Sequence, residues 1–581
     1  MTTPIRRPPP LMTLCLTAVM LFATYSASAD TPPLGPGTSV VGNYLAGRHA
    51  QSERDLSVAA DYLKAVLDRS PDAPDLQRRT FVLLVMEGRI AEALPIARAL
   101  NEARPDGTVT NLILVADEFK KKDFAAASKR LQGLPDTGLS GLAGPILLAW
   151  SLTAEKKFDE AINTLASRTT EKATKALYEL HKAMIQNFSG RTDEAIATLV
   201  QLTKDEGAPS FRQMQLLGNI YERAGSTAAA QHLYDEYQKT NPGTNLLYVA
   251  RQRLASGTKP EPLISSATDG AAEVFFGVAN SLRVQRARET ALLLGQLAIY
   301  LKDEYPIMQI LIGEILEMDE RYEDANGYYQ LIDPASTFGQ MAQMRIANNL
   351  HDMDRTEEAI AIATKLAAEH PNDPSPIRAV GDYLRATERY KEAIPVYDEA
   401  IRRVTELKPV HWRLFYTRGI VLEREKLYLR SEEDFLKALE LQPDQPFVLN
   451  YLGYSWVEQR RHLDRALEMI QKAVRLRPND GYIIDSLGWV YYQLGQYDDA
   501  VAELERAIEY RPEDPVINDH LGDAYWQVGR KKEARFQWQH SLSLKPEPDV
   551  EKLVREKLKN GLQPLSKSIE QIELLAPKKD G

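Results

Sequence analysis

Apolar residues between positions 480 and 515 follow two successive helical stripes. The first stripe has the i, i+3, i+4, i+7 spacing of one helix face and consists of Ile484, Leu487, Gly488 and Tyr491. The second stripe follows a turn at Gly495 and consists of Tyr497, Ala500, Leu504 and Ala507. Pro512 ends the second helix, because proline has no backbone N–H to continue the hydrogen-bond ladder. This segment predicts two helices joined by a short turn.

The same pattern recurs along most of the chain at intervals close to 34 residues. One interval later it returns as Leu521, Gly522, Tyr525, Gly529, Ala534, Trp538 and Pro546. One interval earlier it returns as Leu452, Gly453, Trp456, Ala466, Ile470, Ala473 and Pro478. We predict repeats that start near residues 40, 74, 108, 142, 176, 211, 270, 306, 340, 374, 412, 446, 481 and 515.

These positions resemble the tetratricopeptide repeat, a helix-turn-helix unit of about 34 residues with Leu-Gly, Tyr, Ala and Pro at fixed offsets. The resemblance covers roughly residues 40 to 548. It implies an all-α fold, a superhelical solenoid of about 14 helix-turn-helix repeats, with the first helices lining a concave groove. Small residues at the eighth and twentieth positions are expected where the two helices of a repeat cross closely.

The period breaks between residues 245 and 269, where glycine and proline occur among small polar residues. This break separates an N-terminal arm, 40–244, from a C-terminal arm, 270–548. The connector is either a hinge or a rigid segment packed between repeats. Residues 549–562 predict a capping helix with an apolar inner side and a polar outer side, and 563–581 predict a loosely attached tail.

The first 29 residues predict an export signal. Arg6 and Arg7 precede a short apolar run at 11–23, and small residues at 27 and 29 predict cleavage after Ala29. The alternative is an uncleaved anchor, for which the run is short, since a span needs about 20 residues. Residues 30–39 are expected to be a linker, and the mature protein is expected to be soluble and periplasmic.

Composition narrows the classes of partner. Without residues 1–29 the chain has 69 basic and 81 acidic side chains, a net charge of −12, and no cysteine. Nucleic acid is therefore not an expected partner, since binding to phosphates needs a basic face.

The sequence contains no motif of nucleotide, hydrolase or metalloprotease chemistry. The nine histidines have no metal-ligand spacing and are expected at the surface or half-buried. Acid pairs such as Asp498 and Asp499 precede the alanine of a second helix, where acids suit a helix N-terminus. We expect a non-catalytic protein without a cofactor or a metal, which binds protein or peptide partners.

Candidate binding residues follow from the resemblance, since the second, fifth, ninth and twelfth residues of a tetratricopeptide repeat tend to face the groove. The residues predicted to contact a partner are Asn450, Tyr454, Asp485, Trp489, Asp519 and Asp523. Tyr454 and Trp489 are expected side by side, and the acids are expected to steer a basic or neutral segment toward the groove. Tyr492 and Trp526 are instead expected to fill the seam between first helices.

The last repeats, such as NYLGYSWVEQ and IIDSLGWVYYQLGQYDDAVAELERA, resemble exported adaptors of Gram-negative bacteria that serve the carboxyl-terminal processing protease. The resemblance implies a role in envelope assembly or in delivery of substrates to a protease. The lipid-anchor cysteine of those adaptors is missing, since the only cysteine, Cys15, lies inside the apolar run. Two alternatives remain: a scaffold of an envelope assembly or polysaccharide export machine, and an enzyme or sugar-binding protein with an unrecognised groove site.

Overall fold

A computed structural model describes residues 35–168, 172–284 and 287–562. The predicted export signal and the predicted tail lie outside these ranges. The described residues form α-helices and one short 3-10 helix at Pro409–His411, with no strand among them. The α-helices are α1 Val40–Ser52, α2 Leu56–Leu67, α3 Pro74–Met86, α4 Ile90–Ala103, α5 Thr108–Lys120, α6 Phe124–Gln132, α7 Gly138–Ala154, α8 Phe158–Ala166, α9 Lys172–Phe188, α10 Thr192–Glu206, α11 Phe211–Arg223, α12 Thr227–Thr240, α13 Tyr248–Ser256, α14 Ala267–Val284, α15 Arg288–Leu301, α16 Pro306–Glu317, α17 Tyr322–Gln330, α18 Gly339–Asp352, α19 Thr356–Glu369, α20 Pro374–Ala386, α21 Tyr390–Arg402, α22 Trp412–Arg424, α23 Tyr428–Leu441, α24 Pro446–Glu458, α25 Leu463–Leu476, α26 Gly481–Gln493, α27 Tyr497–Tyr510, α28 Pro515–Gln527, α29 Lys531–Ser543 and α30 Pro548–Asn560.

The all-α fold and its repeat are confirmed. Helices pair into hairpins, and most first helices begin where the sequence pattern places them. The agreement is complete where proline is the first helical residue, as at Pro306, Pro446 and Pro515, because proline fixes a backbone angle suited to that position. Helices α7 and α9 have no proline there, and each begins four residues earlier than predicted.

The chain divides into two compact units at residue 107. The described part of the first unit contains α1 to α4, and the second contains α5 to α30. In the first unit Leu63 and Leu84 are fully buried and form part of the core of two stacked hairpins.

Small residues allow the two helices of a hairpin to cross closely. A Cβ atom at Gly488 on α26 would lie 2.5 Å from Cγ of Leu504 on α27. Ala500, at the twentieth position of the same repeat, has no exposed surface. The expected role of the eighth and twentieth positions is confirmed in this hairpin, since a larger side chain at either one would overpack the crossing.

The connector 245–269 contains α13, an extended segment with hydrogen bonds on both sides, and the first residues of α14. Arg223 donates a hydrogen bond to the carbonyl oxygen of Pro260, and Asn219 donates to that of Glu261. On the other side, the Lys302 ammonium donates to the carbonyl oxygen of Leu263. Helix α13 has no buried residue and is not followed by a second helix of its own.

Helix α14, which follows the connector, packs against the first helices α5, α7 and α9. Two glycines permit this approach. A Cβ atom at Gly270 would overlap the indole ring of Trp150 on α7, and one at Gly277 would lie 2.8 Å from Cδ1 of Leu177 on α9. Helix α14 therefore covers the face that these first helices would present to a partner.

Helix α30 closes the last repeat, near the predicted capping position. Its Val554 is fully buried against the core that contains Trp538. Among the described helices, none combines the length and the hydrophobicity of a membrane span.

Candidate functional site

The six predicted residues lie on helices α24, α26 and α28, the first helices of the last three repeats. We call the side of these helices that carries them the C-terminal groove face. The structure brings the six residues to one region, but it gives them different environments. Asn450, Tyr454 and Trp489 are half-buried, whereas Asp485, Asp519 and Asp523 are buried.

Trp489 belongs to an aromatic stack. Its ring lies 4.8 Å from the ring of Tyr492, at an interplanar angle of 3°, and 4.1 Å from the imidazole of His520. The indole Nε1 donates a hydrogen bond of 2.8 Å to Glu458. The stack fixes the orientation of the Trp489 ring while leaving part of it exposed, which suits a rigid aromatic anchor for a partner.

Glu458 also influences Tyr454. Burial, with the nearby carboxylate of Glu458 as a smaller cause, holds the pKa of the Tyr454 phenol well above its usual range. Asn450, one turn before Tyr454, has a buried side-chain oxygen without a hydrogen-bond partner among the described residues. Tyr454 and Trp489 thus share Glu458 as a neighbour.

The three aspartates have partners within the chain. Asp485 contacts Nδ1 of His520 at 2.9 Å. The Lys557 ammonium lies 2.7 Å from Asp519 and 2.8 Å from Asp523. Asp523 also accepts a hydrogen bond of 2.9 Å from Nε1 of the buried Trp538. These acids are expected to contact a partner protein, whereas in the structure their carboxylates bind side chains from α28, α29 and α30.

His520 and Lys557 are the residues that sequence reasoning missed. His520, expected at the surface or half-buried like the other histidines, is buried beside Asp485. Lys557 lies on the helix near the predicted capping position, and its ammonium reaches the acids of α28. A signal was present in the sequence, since two acids four residues apart on a buried stretch of helix require a positive partner.

Burial and charge shift the pKa values in this cluster. Burial alone would lower the pKa of His520, but the carboxylates of Asp485, Asp519 and Asp523 together outweigh burial and raise that pKa above its ordinary value. Burial raises the pKa of the Asp523 carboxyl to about 6, although Lys557 opposes the shift. The Asp523 carboxyl group therefore exchanges its proton closer to neutral pH than a carboxyl group in water does.

Part of the C-terminal groove face remains accessible. Tyr482 at the start of α26 is 51% exposed and Val516 at the start of α28 is 39% exposed. The Glu458 side chain is also exposed beside Trp489. The expectation that Tyr492 fills the seam between first helices is confirmed, since its ring is buried and its hydroxyl accepts a hydrogen bond from Gln527 of the next first helix.

The corresponding face of α5, α7 and α9 is covered by α14. Arg212 on the next first helix, α11, pairs with Glu273 on α14, and both side chains are buried. Beneath α14, Nε1 of Trp150 contacts Nδ1 of His181 at 3.1 Å, and burial lowers the pKa of that histidine to about 4. A partner cannot reach this face without displacing α14.

Within the described ranges, no cluster of His, Cys, Asp and Glu has the arrangement of a metal site.

Comparison with known families locates the repeats independently. Residues 44–108 and 379–446 match a tetratricopeptide repeat family model, and residues 488–529 match a second model described as TPR repeat.

Two curated relatives match parts of the chain. The TPR repeat-containing protein PA4667 of Pseudomonas aeruginosa is 25% identical over 190 residues, which cover 32% of this chain and 31% of that protein. Protein O-mannosyl-transferase TMTC1 of Homo sapiens is 23% identical over 165 residues, covering 27% of this chain and 19% of that protein. The chain therefore spans under a third of the length of either relative.

Among solved structures, the APC/C hetero-tetramer Cut9-Hcn1 is 14% identical, with a TM-score of 0.38, and the comparison covers 91% of this chain and 97% of that one. YrrB, a TPR protein with an unusual peptide-binding site, is 20% identical, with a TM-score of 0.27, and covers 33% of this chain and 97% of that one. The three matched segments and the pairing of helices into hairpins together show that the chain contains tetratricopeptide repeats.

Proposed function

We propose that the protein is an exported, non-catalytic scaffold that binds a polypeptide segment along the C-terminal groove face. One observation carries the proposal: α14 covers the first-helix face of α5, α7 and α9, while the face around Trp489 keeps half-buried and exposed aromatic side chains. Rigid aromatic rings with adjacent hydrogen-bonding groups are typical of protein interfaces. The partner is a basic or neutral segment, since the Glu458 carboxylate beside Trp489 is exposed.

Within this class, the favoured role is delivery of substrates to a protease of the cell envelope, which rests on the resemblance of the last repeats to periplasmic adaptors. A scaffold of an envelope assembly or polysaccharide export machine is the second candidate. Export itself is proposed from the N-terminal sequence, with cleavage after Ala29. Recovery of the protein in the periplasmic fraction tests export. Its N-terminal mass tests the cleavage after Ala29, and an intact residue 1 would contradict that cleavage.

The binding proposal is tested by purifying the protein from envelope extract, identifying a co-purifying partner and measuring its affinity by calorimetry. Recovery of a protease supports the favoured role, and recovery of polysaccharide export components supports the second. Trp489→Ala is expected to weaken binding by at least about 2 kcal/mol, the size typical of an aromatic hot spot. Phe536→Ala is the matched control, since Phe536 is an exposed aromatic residue on a second helix.

Denaturant unfolding of both variants shows whether the fold is preserved. A Trp489→Ala protein that folds normally and binds with unchanged affinity would remove the C-terminal groove face as the site. The protein would then have to bind through another surface.

A further inference from the structure

A cleft of about 860 Å³ lies between α13 and the beginnings of α18 and α20. Residues 241–252 form one wall and residues 334–344 form the opposite wall. His370, Ser375 and Val410 complete the lining. The volume falls in the range of roughly 300 to 1,000 Å³ that is usual for ligand sites.

Hydrogen bonds hold the two walls together. One carboxylate oxygen of Asp373 accepts a bond of 2.6 Å from the Asn245 amide on the first wall and another of 2.6 Å from the Gln340 amide on the second. The rings of Tyr248 and His370 meet edge to face at 6.0 Å. Because these contacts join segments far apart in the chain, the cleft is formed before any ligand binds.

The lining contains no Asp, Glu, Lys or Arg among its 19 residues. Charged residues make up 26% of the chain, so about five would be expected in 19 positions of average composition. A charged ligand group that lost its water in this cleft would find no opposite charge among the lining residues, and the neighbouring Asp373 carboxylate already accepts hydrogen bonds from Asn245 and Gln340. The cleft therefore favours uncharged ligands.

Apolar and neutral polar side chains both line the cleft. Met341 and Met344 lie one turn apart on α18, and methionine adapts its shape to different apolar side chains. Gln252, Thr337 and Ser375 also line the cleft, and their side chains make no hydrogen bond to any described residue. Tyr248 is 53% exposed.

We infer that this cleft binds an uncharged polypeptide segment that carries aliphatic side chains. The aliphatic groups lie against Met341, Met344 and Val249, while main-chain amides of the segment bond to Gln252, Thr337 and Ser375. A peptide suits this lining better than a sugar does, since about half of the lining residues are apolar. The cleft is separate from the C-terminal groove face and does not depend on the function proposed for it.

The test is an array of immobilised ten-residue peptides of random sequence, probed with the full chain and with two cleft variants, Gln252→Lys and Val249→Asp. Helix α13 has no buried residue, so both variants are expected to fold. Gln442→Lys is the matched control, because Gln442 is an exposed glutamine outside the cleft. Circular dichroism and thermal unfolding verify the fold of every variant.

Some peptides should bind the full chain and lose at least tenfold in signal with both cleft variants. We expect these peptides to be uncharged and rich in Leu, Ile, Val or Met. Gln442→Lys and Trp489→Ala should retain these peptides, which separates this proposal from the one for the groove face. Cleft variants with the binding profile of the unmodified chain would overturn the inference. So would a predominance of charged peptides among those lost, or a glycan array on which only the cleft variants lose signal.

Discussion

Arg212 on α11 and Glu273 on α14 form a buried ion pair, with the Arg212 Nε atom 3.1 Å from a Glu273 carboxylate oxygen. The two residues are 61 positions apart, on opposite sides of the connector. The pair joins α14 to α11 and so helps to hold α14 over the first-helix face of α5, α7 and α9.

Glu273→Ala should therefore destabilise the protein strongly. Removing one partner leaves the Arg212 guanidinium buried without a counter-charge, and the expected loss is about 3 to 5 kcal/mol in the free energy of unfolding. Glu551→Ala is the control, because its partner Arg555 is on the surface and such pairs contribute about 0 to 1 kcal/mol. Urea unfolding measures both losses, and equal small losses would contradict the buried pair.

Gly270→Leu tests the close approach of α14 to α7. The new side chain would overlap the Trp150 indole, and overpacking of this kind costs about 3 kcal/mol. Gly243→Leu should have little effect, since no atom lies within 4 Å of the position that its Cβ would take. Thermal unfolding compares the two variants, and a Gly270→Leu protein as stable as its control would show that α14 does not dock as described.

Ala500→Trp tests the register of the repeats. Ala500 is fully buried at the crossing of α26 and α27, so the larger ring should cost about 1 to 3 kcal/mol. Ala502→Trp, two residues away at an exposed position of the same helix, should be tolerated. If denaturant unfolding gives the same midpoint for both variants, the assigned register is wrong.

Asp519→Asn combined with Asp523→Asn should lower stability in addition to any effect on a partner. The double variant leaves the Lys557 ammonium with no carboxylate at its site, at an expected cost of about 3 kcal/mol. Adding Lys557→Met should restore most of the loss, because no buried charge then lacks a partner. Unfolding curves of the double and triple variants decide the question, and a fully stable double variant would show that the acids are not structural.

The cluster around His520 should make the last repeats more stable at pH 6 than at pH 8. The folded-state pKa of His520 lies above its unfolded value, so its stabilising contribution is complete below the unfolded pKa and is lost as pH rises through the folded pKa. The pKa of Asp523 is also raised, to about 6, so the folded state takes up this proton more readily and gains stability as pH falls toward that value. Both groups act in the same direction.

Urea unfolding at the two pH values measures this difference. His520→Gln with Asp523→Asn should reduce it, since the variant removes both titrating groups. A difference of the same size in the variant would assign the pH dependence to other residues.

The candidate site was predicted only in part. The resemblance to the repeat family placed Asn450, Tyr454 and Trp489 on one face, because the fifth and ninth residues of each first helix recur at fixed offsets. The repeat pattern could not predict the ion-pair partner of the acids. Lys557 pairs with Asp519 and Asp523 from 38 and 34 residues later in the chain, on a helix outside the repeat pattern.

The sequence by itself determined the helical hairpins of this protein. Proline at the first position of α16, α24 and α28 fixes where those helices begin, and small residues such as Gly488 fix the crossing within a hairpin. These interactions are local or between neighbouring repeats, so they leave a periodic trace. Only the tertiary structure decided that α14 covers the face of α5, α7 and α9 and that Lys557 neutralises the buried acids. Both contacts join residues of different repeats by shape and charge, and such contacts have no period in the sequence.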